Sequence, residues 1–461
     1  MNPADPSSNS SNNPSVNSVS LPAQTLSVPP RSASYRWLVV GMLWFLCFFN
    51  YADRQAIFSI FPVLEKQYHF TKFELGAIGA AFTWVYALAA PIAGHVGDRY
   101  PRKWVILGGL YTWSLITGLT AQCTHVWQFL IVRGSEGLGE TFYMPASMGL
   151  ISDYHAPATR SRAIGLHQTS IYAGTIGGGV LAGWMGQHYG WRSPFWLLAG
   201  AGIGLGLIVH VFIREPRRNQ AELEERSKLK EPRYALPETV SEPVPILVFL
   251  AEFVQTKTAV LLIVAFFGAN LVGLAFLTWM PTFLKEKFGM GLAEAAWTAT
   301  IYSQVGSMGG AVLGGYFADR WSKVRAEGRI LVQALAALLG TPFVFLCGYT
   351  RSYWLLIFAL TLYGLSKGVY DSNLTAAFYD VVTPSRRSTA TGLMNLLGFI
   401  GAGLGSLAIG FAIYRGVTMS AAISSTAVVY LIVALILFFT AAITAPNDIR
   451  ARIKIQMGDG G

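Results

Sequence analysis

Hydrophobic and polar positions along this chain fall into long blocks rather than short periods. Apolar runs of roughly 20 residues, each long enough to cross a bilayer as a helix, recur twelve times, near 37–61, 74–97, 104–122, 127–151, 162–185, 192–213, 258–284, 292–317, 330–348, 353–378, 389–413 and 420–444. The pattern predicts an all-α membrane protein with twelve transmembrane helices. One polar stretch is far longer than the others: "REPRRNQAELEERSKLKEPRYALPETVSEP" lies between the sixth and seventh runs and parts the chain into two groups of six. The expected organisation is therefore an N-terminal six-helix bundle (35–213), a cytoplasmic linker (214–256) and a C-terminal six-helix bundle (257–445). Residues 1–34, rich in Ser, Asn and Pro and without the basic start or apolar core of a secretory signal, are expected to be a disordered cytoplasmic tail, and residues 446–461 a second one.

The two groups of six repeat each other. At a constant offset of 227, "GLGETFYMPASMGLISDYHAPATRSRAIG" (137–165) lies over "GLSKGVYDSNLTAAFYDVVTPSRRSTATG" (364–392), with Gly137 on Gly364, Tyr143 on Tyr370, Asp153 on Asp380 and Arg160 on Arg387. Chance alignment of apolar segments would not bring polar loop residues into register. Two similar bundles imply pseudo-two-fold symmetry, with a central cavity between the halves near the membrane midplane.

Composition agrees: 53% of residues are hydrophobic and 13% charged, well below the charge content of soluble domains. The net charge of +10 raises nucleic acid as a partner, but Lys and Arg concentrate in alternate loops beginning with the N-terminal segment. That is the positive-inside arrangement. It predicts an inner (plasma) membrane protein with both termini cytoplasmic and no nucleic-acid partner. Cys47, Cys123 and Cys347 lie singly in apolar runs without metal or redox spacing. Nucleophile-elbow, HExxH and P-loop motifs are missing, so an enzyme is not expected, nor is a cofactor or metal.

The exceptions to the apolar pattern carry the chemistry. An ionisable group at the centre of a membrane helix costs about 2.5–3.5 kcal/mol on insertion scales, yet Asp53 and Arg54 sit in the first run, Arg133, Glu136 and Glu140 in the fourth, and Lys367 and Asp371 in the tenth. Arg133, Glu136 and Glu140 share one helix face, and Asp53 and Arg133 fall at similar depth. The repeat places Glu140 and Lys367 at equivalent positions, so both are expected to face the central cavity, an acid opposite a base. Lys367 also has Asp371 four residues on, which allows a local pair instead. In "GHVGDRYPRK", Asp98, Arg99 and Arg102 occupy the loop between the second and third runs, and "GYFADRWSK" repeats the pattern with Asp319 and Arg320. These are expected to form a cytoplasmic gate that holds the halves shut and releases them.

With these motifs in hand, the chain resembles the major facilitator superfamily from residue 35 onward: "GHVGDRYPRK" is similar to the family's loop between the second and third spans, and "RGSEGLGE" to its fourth-helix motif. Within that family, "NYADR", Arg133, Glu140 and Asn395 in "GLMNLLG" resemble the anion:cation symporter branch. The resemblance implies a monomeric carrier in the bilayer that moves a small organic anion such as a hexuronate or aldonate together with protons. It further implies that Arg54 holds the substrate carboxylate, that Asp53 and Glu140 take up protons, that Arg133 pairs with Asp53, and that Tyr51, Tyr86, Gln168 and Asn395 offer hydrogen bonds. The same stretches also resemble the spinster branch, which implies a lysolipid or sphingolipid phosphate as the alternative cargo, taken into an aromatic cavity near Trp84, Trp279 and Tyr302.

Overall fold

The computed structural model describes residues 33–221, 224, 246–383 and 386–450. The predicted tail up to residue 32, linker residues 225–245 and residues 451–461 lie outside them. Among the described residues there are α-helices and no strands. Their order is α1 (Ala33–Ser59), α2 (Phe61–Tyr68), α3 (Lys72–Arg99), α4 (Arg102–Thr120), α5 (Val126–Glu140), α6 (Tyr143–Tyr154), α7 (Pro157–His188), α8 (Ser193–Phe212), α9 (Ile246–Gln255), α10 (Lys257–Phe288), α11 (Leu292–Ser322), α12 (Gly328–Tyr349), α13 (Tyr353–Tyr379), α14 (Arg387–Tyr414) and α15 (Met419–Phe439). Each apolar run falls on one helix or on two consecutive ones.

Seven helices among the described residues are long and apolar enough to cross a membrane by length and composition alone. The remaining runs are diluted by glycine and by the charges noted above. Large side chains point outward around the bundle: Val211, Val312 and Trp354 are 71%, 75% and 76% exposed. Such a belt is favourable against lipid and not against water.

Two runs are broken. The first divides at Ile60, where Pro62 enters the first turn of α2, and the fourth divides at Thr141–Phe142, with Pro145 in the first turn of α6. Proline lacks the N–H that would continue the ladder. The repeat supplies the control, because Ser372 stands where Pro145 would fall and α13 runs unbroken. At the start of α3, Thr71 and Glu74 form a reciprocal capping box.

Packing follows the duplication. In the N-terminal half α1 packs on α7, α3 on α5 and α4 on α8; in the C-terminal half α10 packs on α14, α11 on α13 and α12 on α15. The halves meet through α3 on α14 and α7 on α11, two contacts related by the same pseudo-two-fold. Polar details repeat as well. Arg102 donates to Asp153, and Arg329, 227 residues later, donates to Asp380 at 2.8 Å. Arg160 Nη2 reaches the Ser152 carbonyl and Arg387 Nη2 the Tyr379 carbonyl.

Among the described residues, the hydrogen bonds and ion pairs that join the halves lie toward one end. We call the end carrying residue 33 and the linker the terminal face, and the opposite end the far face. Near the far face Lys72 Nζ donates to Glu65 at 2.6 Å and also to Glu286 of the other half. Ser406 Oγ donates to the Gly76 carbonyl at 3.1 Å, and Ala293 N to Gln187 Oε1 at 3.1 Å. At the terminal face the ion pairs among the described residues join groups within one half: Arg36 with Glu224, Arg102 with Asp153, and Arg329 with Asp319 and Asp380.

Candidate functional site

Between the halves lies a cavity of about 530 Å³, walled by residues of both. This is within the range of small-molecule sites. From the N-terminal half it takes Tyr51, Arg54, Tyr86 and Gln168; from the C-terminal half, Lys367 and Asp371. Aromatic rings such as Phe82 and Phe399 make much of the remaining wall.

Arg54 and Arg133 are both on the N-terminal wall, and Arg54 is the more exposed of the two. Arg54 Nε donates to Glu140 Oε2 at 2.5 Å, and its guanidinium carbon lies 4.6 Å from the Tyr51 ring centre and 4.7 Å from that of Tyr86. The ring faces hold the positive charge while leaving its remaining N–H groups to other acceptors. Glu140, wholly buried at the end of α5, lies behind Arg54 and does not line the cavity. The expected cavity-facing acid at this position is therefore corrected: α5 presents Glu140 to Arg54 inside its own half.

A second correction concerns Arg133. Its guanidinium donates to Glu136, one turn along the same helix, rather than to Asp53. The Asp53 carboxylate instead accepts from Thr117 Oγ1 of α4 at 3.2 Å, and the same hydroxyl lies 3.4 Å from Glu136 Oε1. An i,i+3 neighbour on one helix keeps its distance whatever the tertiary packing does, so Glu136 is the nearer partner. Asp53 is 2% exposed and belongs to the interior of the half, not to the cavity surface.

Together Asp53, Glu136 and Glu140 bring one oxygen each within 4.8 Å of the others. Two guanidiniums answer three carboxylates. Asp53 Oδ1, Glu140 Oε1 and Arg133 Nε and Nη2 are buried without a hydrogen-bond partner, so the cluster holds unspent donor and acceptor capacity. An unpaired buried carboxylate is expensive, and a proton is the smallest remedy.

Across the cavity Lys367 pairs with Asp371, and both line the wall. Both alternatives for Lys367 are thus found together, the local pair and the cavity position. Asn395 is half-buried in α14, one turn before the wall residue Phe399, and is not part of the wall.

Among the described residues, no ion pair or hydrogen bond of an expected gate residue bridges the halves. Arg102 donates to Asp153 and to the Gly149 carbonyl, both of its own half; Asp319 forms an ion pair with Arg329 of its own half at 3.6 Å. Arg99 and Arg320 are exposed at the ends of α3 and α11, and the Asp98 side chain lies outside the described residues. Sequence reasoning overlooked Arg329 and Thr117. The first was findable, because the offset of 227 leads to it from Arg102; the second, a plain threonine in an apolar run, carried no signal.

Two similar halves of membrane-length helices enclosing a cavity, with a buried ion cluster beside it, have the build of a membrane transporter rather than an enzyme. The chain matches the Major Facilitator Superfamily over residues 43–406 and belongs to it. It is 26% identical over 408 residues to GudP of Bacillus subtilis, a probable galactarate/D-glucarate transporter, covering 83% of this chain and 86% of that one. Protein spinster homolog 1 of Homo sapiens is 31% identical over 198 residues, 42% of this chain and 37% of that one. In fold, the chain is similar to the crystal structure of a bacterial homologue of the human lysosomal transporter Spinster in its inward-facing, unoccupied conformation, with a TM-score of 0.72 at 20% identity, covering 92% of this chain and 99% of that one.

Proposed function

We propose that this protein is a proton-coupled symporter that carries a small organic anion of the sugar-acid class by alternating access. In this reading it resides as a monomer in the inner (plasma) membrane, with both termini cytoplasmic, and uses protons as its coupling ion without any cofactor. The observation that carries the reading is that Arg54, a cation on the cavity wall, is neutralised from behind by Glu140, within a buried group of three carboxylates and two guanidiniums. Similarity to GudP supports an acidic sugar as the cargo.

The cycle follows from competition for Arg54. While Glu140 is ionised it occupies the guanidinium and opposes an incoming carboxylate. Protonation of Glu140 and Asp53 removes that competitor, and Arg54 turns its donors to the substrate; Tyr51, Tyr86 and Gln168 supply neutral hydrogen bonds from the same wall. After the halves rock and expose the cavity to the cytoplasm, loss of the protons restores Glu140, which expels the anion. With the termini cytoplasmic, the gathering of the bonds between the halves toward the far face corresponds to the cargo-releasing state.

Proteoliposomes supplied with labelled aldarate on the outside test this directly. Wild type should accumulate it when the outside is made acidic, whereas Glu140→Gln should lose accumulation yet still exchange labelled for unlabelled substrate. Undiminished accumulation by the variant would remove Glu140 from the coupling. The partial sequence likeness to protein spinster homolog 1 and the aromatic walls favour one other cargo, a lysolipid or sphingolipid phosphate; uptake of such a lipid with no response to any sugar acid would establish it instead.

A further inference from the structure

Both walls of the cavity carry positive charge, Arg54 and the more deeply buried Arg133 on one side and Lys367 on the other, and each cation is neutralised by an acid of its own half. On the N-terminal wall Arg54 is held by Glu140; on the C-terminal wall Lys367 is held by Asp371. Positions 140 and 367 are equivalent in the repeat, yet the charge is reversed. Glu140 is wholly buried behind its arginine, whereas the Lys367 and Asp371 side chains are 31% and 36% exposed and line the cavity themselves. Gly273 of α10 borders the lysine stem, where an added Cβ would meet Lys367 Cε at an ordinary contact distance of 3.6 Å. The charged Asp371 side chain competes for the lysine just as Glu140 competes for Arg54.

We propose that Lys367 is a specificity-determining residue that binds a second anionic group, so that the preferred cargo is a sugar diacid spanning the two halves. The inference rests on the symporter reading and deepens it. One carboxylate of the diacid takes Arg54 from Glu140, and the other takes Lys367 from Asp371. A monoacid satisfies only the first. Because the two cations belong to different halves, a diacid also ties the halves together across the cavity, which links occupancy to closure of the terminal face. A compact ammonium on a flexible stem can follow the second carboxylate as the halves move.

Equilibrium binding of an aldarate and an aldonate of equal carbon number to the purified transporter, followed by calorimetry, tests the assignment. Wild type should bind the diacid at least about tenfold more tightly, the worth of one charge-assisted hydrogen bond. Lys367→Gln should weaken the diacid at least about tenfold more than the monoacid and so abolish the preference, and Lys367→Arg should keep it. Asp371→Asn, which removes the competitor, should tighten diacid binding, and this arm stands even if Lys367→Gln fails to fold. Equal affinity for the two acids in wild type, or a Lys367→Gln variant that weakens both alike, overturns this inference and leaves the symporter reading standing. Failure of either acid to bind overturns both.

Discussion

A buried Asp53, Glu136 and Glu140 facing only Arg54 and Arg133 makes the two arginines unequal to the three acids in what their loss would do. Arg133 is 1% exposed and its removal leaves one guanidinium among three carboxylates. Breaking a buried pair in this way costs about 3–5 kcal/mol. Loss of Glu136 is different, because the freed guanidinium still has Asp53 Oδ1, an acceptor without a partner, in the same cluster. Arg133→Met should therefore lower the midpoint of thermal unfolding in detergent far more than Glu136→Gln does. Equal losses would mean that the cluster's charge balance is not what holds it. At this scale the ionisable residues were legible in the sequence, since a charge in an apolar run stands out. Their pairing was not, because whether Arg133 reaches Asp53 or Glu136 depends on how α5 is rotated against α1 and α4.

Among elements, the crossing of α11 and α13 illustrates how glycine position sets helix approach. A Cβ at Gly310 would come within 2.0 Å of the Leu365 carbonyl oxygen, and one at Gly368 within 2.0 Å of that of Ser307. Only hydrogen fits there. Gly309, one residue before Gly310, has open space where its Cβ would be. Gly310→Ala should destabilise the bundle by about 1–3 kcal/mol through overpacking, while Gly309→Ala should be neutral or gain up to about 1 kcal/mol from helix propensity. Thermal unfolding of the two variants side by side checks the contrast. Glycine enrichment in the sequence already predicted close helices; which glycine faced which helix emerged only from the packing. The break at Thr141–Phe142 was foreshadowed by Pro145, but the apolar run across it read as one continuous span.

For the molecule as a whole, closure rests on the far face. Lys72 is shared by Glu65 of its own half and Glu286 of the other, and these acids are 35% and 44% exposed. Partly exposed pairs are worth at most about 1 kcal/mol, enough to shift a balanced equilibrium roughly fivefold. Lys72→Gln should thus favour opening at the far face. Labelling of a cysteine introduced by Thr300→Cys, at the packed α7–α11 contact, by a membrane-impermeant maleimide should quicken by up to about fivefold in the variant; an unchanged rate would show that the bridge is not a latch. The expected gate at the terminal face was legible as a charged motif in each half. Its state was not, because Arg102 and Arg329 have acids of their own half to turn to when the halves part.

By itself the sequence determined where the helices run, that the chain is duplicated and which residues bring charge into the membrane. Each of these is written locally, because a bilayer penalises every unsatisfied backbone group and every buried charge at its own position. Tertiary structure decided which acid neutralises which base, that Arg54, Lys367 and Asp371 reach the cavity while Asp53 and Glu140 stay behind it, and that one face is shut. Those outcomes depend on helix rotation and on the placement of two rigid halves, and arrangements that differ by only a few kcal/mol leave no mark on a local pattern.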